Sequence, residues 1–83
     1  MHPEIGKAIK GRSVEAGQIV VIAPPDRNVL MTMRVVQRID DIIMFRGELP
    51  GGAGWMVVNR LRDDGAVVDD RGRVVELYEY LGD

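Results

Sequence analysis

At 83 residues the chain has room for one thin core and not two, since a chain of this size buries only about 60–65% of its unfolded surface. A composition of 46% hydrophobic and 29% charged residues excludes a disordered segment, the absence of cysteine excludes disulfides and thiolate metal ligands, and no apolar run approaches the ~20 residues of a membrane span. Thirteen acids against eleven bases leave a net charge of -2, so nothing draws the whole molecule to nucleic acid or anionic lipid and any basic surface must be local.

The start, Met1-His2-Pro3-Glu4, lacks the basic-then-apolar layout of a signal peptide, and a chain without cysteine is most simply placed in a reducing cytoplasm. Pro3 suits the first turn of a short helix running to Ile9, but Gly6 and Gly11 weaken it. Residues 1–17 therefore read as an irregular or short helical arm ahead of a β-rich body over 18–81, all within one small domain.

Gln18 to Ala23 is dense in β-branched residues and stops at Pro24-Pro25, which cannot continue a ladder, so it is the first expected strand. From Val29 to Ile39 the odd positions carry Val29, Met31, Met33, Val35, Gln37 and Ile39, while Thr32, Arg34 and Arg38 hold most even ones. This alternation predicts a half-buried strand with its odd face inward. Ile42 to Leu49 is a third strand, with Ile43, Phe45 and Leu49 on one face and Met44, Arg46 and Glu48 on the other. After the break Pro50-Gly51-Gly52-Ala53-Gly54, Trp55 to Arg62 is a fourth, with Trp55, Val57 and Leu61 inward and Met56, Val58, Arg60 and Arg62 outward.

Asp64-Gly65 tolerates the positive φ angles of a tight hairpin turn, so Ala66-Val67-Val68 should fold back on the fourth strand. Asp69 to Gly72 makes another turn into Arg73-Val74-Val75. The tail from Glu76 to Leu81 reads as a strand or a single 3-10 turn, although Val74, Leu77, Tyr78 and Leu81 also fit one face of a helix that Gly82 would cap.

Register narrows one connection. A two-residue loop at Asp40-Asp41 would pair Ile39 with Ile42 and set the inward residues of the second strand against Met44, Arg46 and Glu48, burying charge. A three-residue loop would pair Ile39 with Ile43, Gln37 with Phe45 and Met33 with Leu49. The pattern thus calls for an odd-numbered connection or a bulge. Five or six short antiparallel strands joined by turns make a small barrel or curled sheet, and the Pro-rich first loop followed by successive hairpins resembles an SH3-like barrel in architecture. That architecture does not decide function.

Catalytic parts are scarce: His2 is the sole imidazole, Ser13 the sole serine, and neither has a partner pattern around it, so the chain reads as non-enzymatic and without a cofactor. The pairs Asp40-Asp41, Asp63-Asp64 and Asp69-Asp70 match no calcium loop and suit turns, where Asp bonds nearby backbone amides. Gly51 to Gly54 lacks the helix and Lys-Ser/Thr of a phosphate loop. Trp55 offers a ring for ligand stacking, although a lone Trp in a small domain is more often a core anchor.

The outward set is the informative one. Arg34, Arg38, Arg46, Arg60 and Arg62 are interleaved there with Val36, Met44, Met56 and Val58, and Arg and Met are both enriched at protein interfaces. This face is the expected contact surface for a protein partner or a second copy, as is an exposed strand edge. The competing readings are that the arginines pair with turn acids, or that they meet nucleic-acid phosphates. Against the latter, Phe45 and Trp55 fall on the inward set and so cannot alternate with the arginines as stacking rings do.

Overall fold

The computed structural model of the chain describes residues 4–48 and 55–82. Leu49, the Pro50–Gly54 break and His2 lie outside the described residues. Seven strands, β1 (Glu4–Ala8), β2 (Ile19–Ala23), β3 (Met31–Ile39), β4 (Ile42–Gly47), β5 (Met56–Leu61), β6 (Val67–Val68) and β7 (Val74–Gly82), form one antiparallel sheet in the order β1-β7-β2-β3-β4-β5-β6. β6 also pairs with β7, so six strands close into a barrel and β1 is an addition to it. The chain is therefore all-β, in keeping with a small SH3-like barrel. No helix among the described residues is long and apolar enough to cross a membrane.

Closure depends on β7. Its start pairs with the two-residue β6, through Val67 with Val75 and Val68 with Val74, while Glu76 to Glu79 pair with β2 on the opposite edge. β6 is too short to cover the rest of its edge of β7, and an open strand edge is a row of unpaired backbone groups. The N-terminal segment fills that vacancy: Ile5 pairs with Tyr80, Ala8 with Tyr78, and the Ile9 amide donates to the Leu77 carbonyl at 2.8 Å. Residues 4–8 are thus a strand and not the helical turn that Pro3 suggested. Gly6 fits this role, since a Cβ there would lie only 3.0 Å from the Glu79 carboxylate, which accepts the Lys7 amide. The tail resolves as the strand alternative and not as a helix.

The barrel interior is filled by Val20 and Ile22 of β2, Met33 and Val35 of β3, Ile43 and Phe45 of β4, and Val67, Val75 and Leu77, with Val14 sealing one end. Phe45, Val20 and Val35 are fully buried, each contributing roughly 1.5–3 kcal/mol by leaving water. At that sealed end a single 3-10 turn, Gly11–Ser13, is fastened from two sides: the Arg38 guanidinium donates to the carbonyls of Arg12 (2.8 Å) and Val14 (3.0 Å), and the Arg12 guanidinium donates to the Asp63 carbonyl.

The connection between β3 and β4 uses the bulge that the pattern allowed and not the three-residue loop, so the expected pairing of Ile39 with Ile43 and Gln37 with Phe45 is corrected. The loop is the two-residue Asp40-Asp41, with Ile39 opposite Ile42, and Asp40 takes a φ of 53°. A bulge at Val36 then restores parity, so that Val35 faces Phe45 and Met33 faces Gly47. Because directly opposed residues share a face, the bulge also reverses everything beyond it. Gln37 joins Met44 on the outside, while Arg38 sits opposite the fully buried Ile43 and turns to the barrel end. Inward placement of Gln37 and Ile39 is therefore corrected: both are exposed, as is Val29, which precedes the strand.

Candidate functional site

The outer face of β3, β4 and β5 is set by three cross-strand rows. Ile39, Ile42 and Arg60 form the first, Gln37, Met44 and Val58 the second, and Arg34, Arg46 and Met56 the third. The first two rows enclose a shallow depression walled by Gln37, Ile39, Ile42, Met44 and Val58. Ile39, Met56 and Val58 are each at least half exposed, at 55%, 50% and 52%, and Val36 and Ile42 only slightly less. Single exposed apolar residues are ordinary, but here they stand side by side on neighbouring strands.

The arginines expected on this face separate into two groups. Arg46 and Arg60 lie in it, exposed, and neither guanidinium makes a hydrogen bond or salt bridge to another described residue, although Arg46 is near enough to attract Glu48. The other three are engaged elsewhere. Arg34 is bidentate to Glu48, with Nη2 at 2.7 Å from Oε1, and also donates to the Gly17 carbonyl at 2.9 Å. That hydrogen bond, with the attraction of the guanidinium and of Arg46, holds the Glu48 carboxyl below its ordinary value despite some desolvation. Arg38 has turned to the barrel end, where it fastens the 3-10 turn. Arg62 follows β5 and is closed onto Asp64 of its own turn at 2.5 Å. Hydrogen bonds from the Arg62 guanidinium and the Ala66 amide pull the Asp64 carboxyl down to about 2.

The turn acids behave as capping groups. Asp69 accepts the backbone amides of Arg71 and Arg73 and the Arg73 guanidinium, all at 2.9 Å. Partial burial raises the Asp69 carboxyl, and those bonds outweigh it, leaving the group lowered overall. Among the described residues no three His, Asp or Glu side chains converge as metal ligands would.

Trp55 is not a core anchor. It is 49% exposed beside β5, with the Arg27 guanidinium 6.0 Å from its ring centroid. Its inward position is taken up further along by Asn59, a polar residue 3% exposed that strand alternation marks as interior but that was not singled out. The face as built thus contains Met44, Arg46, Met56, Val58 and Arg60 of the expected set, with Arg34 present but held by Glu48 and Gly17; it adds Gln37, Ile39 and Ile42, and Arg38 and Arg62 are engaged elsewhere. The bulge accounts for Arg38, Gln37 and Ile39, whereas Ile42 follows from its parity with Met44, and no local pattern announces a bulge at Val36. No family model, curated protein or solved structure matches the chain.

Proposed function

We propose that this barrel is a non-enzymatic binding module that docks a protein partner on the outer face of β3, β4 and β5. The observation that carries the reading is the combination in one surface of exposed Ile39, Ile42, Met56 and Val58 with two arginines, Arg46 and Arg60, whose guanidinium groups make no hydrogen bond or salt bridge to a described residue, Arg46 feeling only the more distant attraction of Glu48. Apolar groups supply area and methionine supplies adaptable packing, while unpaired guanidinium groups select a surface whose apolar ridge is bordered by carboxylates. A second copy of this chain, carrying exposed Asp40 and Asp41 beside the same patch, is one protein that meets this description.

Phosphate recognition by the same arginines has less support. Three of the five guanidinium groups are committed to internal acceptors, and the Phe45 ring is sealed inside the barrel.

The test is solution mass by light scattering, with pull-down from the native host, for wild type and for the Met56→Asp and Arg60→Glu variants. Both substitutions are exposed and should leave the circular dichroism spectrum unchanged. The expected result is that a discrete oligomer, or a specific partner, is lost from both variants. A monomeric wild type, with variants that retain every partner, would overturn the proposal. Retention on a polyanion that falls steeply with salt would transfer the same arginines to nucleic acid.

A further inference from the structure

At the end of the barrel opposite the 3-10 turn, the β2–β3 connection, the start of β5 and the β6–β7 turn surround a cavity of about 330 Å³ that opens to solvent. Its depth is apolar, reaching Ile22, Met33, Val57 and Val75 of the interior. Its rim carries Pro24, Pro25, Met31 and Trp55. This volume lies at the small end of the range, ~300–1,000 Å³, that small-molecule sites occupy.

One polar side chain reaches into this apolar depth. Asn59 lines the cavity and is 97% buried, and its Oδ1, shut off from solvent, has no hydrogen-bond partner among the described residues. A buried amide left unpaired costs free energy, so such a group is normally satisfied by something. A carboxamide offers an acceptor beside a donor and exchanges the two by a half-turn of its terminal torsion, which makes it complementary to another amide edge.

The rim adds two constraints. Its charges cancel, because Arg73 bonds both Asp26 (3.4 Å) and Asp69 (2.9 Å), and Arg27 rests over Trp55. Both acids that line the cavity are thus compensated by Arg73 from outside its lining. The rim and wall are also shaped for flat, polarizable contact, with a half-exposed indole, two proline rings and two thioethers, groups that pack well against an aromatic ring.

We infer that this cavity is a binding site for a small uncharged planar ring bearing an amide-type edge, a carboxamide or lactam, whose polar edge pairs with Asn59 while the ring lies among Met31, Met33 and Trp55. The site is separate from the outer face of β3–β5, so its failure would leave the docking proposal standing, and the reverse.

Benzamide is the probe, with toluene and benzoate as controls, followed by two-dimensional NMR of the isotopically labelled protein. Benzamide should give saturable shifts of the Asn59 side-chain amide, the Trp55 indole N–H and the Met33 amide, whereas toluene and benzoate bind at least about tenfold more weakly. Asn59→Leu should weaken benzamide about tenfold while leaving toluene unchanged or tighter. Trp55→Ala, a substitution at a half-exposed position that spares the core, should weaken every ring probe. No saturable shift below ~10 mM benzamide, equal affinity for benzamide and toluene, or undiminished benzamide binding by a folded Asn59→Leu variant would each overturn the assignment; the first would leave a cavity that holds water only.

Discussion

Replacing Asn59 by Leu should stabilise the protein, an unusual direction for a substitution at a buried position. Asn59 is 3% exposed on the inner face of β5, and its Oδ1 meets no donor. Leaving a buried amide unpaired costs about 1–3 kcal/mol. Leucine has nearly the same branching and length, so it occupies the site without creating a void and adds apolar contact with Val57 and Met33 across the cavity. The net gain is therefore about 1–3 kcal/mol, and for a domain of this size each kcal/mol moves the Tm by ~4–8 °C. Thermal and urea unfolding followed by circular dichroism measure it, with an unchanged urea slope required so that the gain belongs to the folded state. Thr32→Val is the internal comparison, because the Thr32 hydroxyl is the other buried polar atom without a partner among the described residues. A Tm at or below wild type in Asn59→Leu would mean that the carboxamide is satisfied in solution. Asn59 would then offer no unpaired polar edge to a ligand.

Three further outcomes follow from the geometry. Gly11→Ala should lower stability by about 1–3 kcal/mol in urea unfolding, because a Cβ there would stand 2.5 Å from Leu61 Cδ1, 2.7 Å from Val67 Cγ2 and 2.9 Å from the Gly65 carbonyl oxygen, the last of which cannot rotate aside. Arg38→Ala should cost about 1 kcal/mol by releasing the 3-10 turn, whereas Arg60→Ala on the outer face should stay within ~0.5 kcal/mol of wild type, a contrast that the same assay resolves. The Asp64, Asp69 and Glu48 carboxyls are lowered on folding, so their contribution is complete above their unfolded values and fades as the pH drops through the folded ones. For Asp64 that window runs from its ordinary 3.8 down to about 2, and Asp64→Asn should flatten the loss of urea midpoint across it.

What could be read before folding was whatever depends on near neighbours. The alternation in β4 and β5 placed Ile43, Phe45 and Val57 inside and Arg46, Met56 and Arg60 outside, because a strand with one enclosed face has no other register that keeps charge in water. The parity conflict at Asp40-Asp41 was legible too, as was the need for an odd residue to relieve it. Its location was not, since the choice lies between a longer loop and a bulge. Asp40 accepts a positive φ, which lets the two-residue turn form and moves the extra residue back to Val36. Features set by distant partners were hidden. β1 is a strand because β6 is short, Arg34 is neutralised because Glu48, just past the end of β4, lies alongside it, and Trp55 stays outside because the interior of β5 begins with Val57 and Asn59.

The Val36 bulge therefore has consequences beyond strand pairing. Without it, a two-residue turn would carry Arg34 inward with Arg38 and leave Met33 and Val35 in water. With it, the interior of β3 is apolar up to Val35, and the reversal beyond that point delivers Gln37 and Ile39 to the outer face and Arg38 to the 3-10 turn. One inserted residue supplies both an apolar wall of the proposed docking surface and the cation that fastens the closed end of the barrel. Among the described residues the opposite end shows no equivalent fastening: its acids pair with Arg73 at the rim, and the apolar depth beneath them reaches Asn59. A barrel sealed at one end and open at the other, with a separate apolar face on its side, has two surfaces that can be altered independently. Additivity between Asn59→Leu and Met56→Asp, one raising stability and the other acting only on association, is what such separation requires.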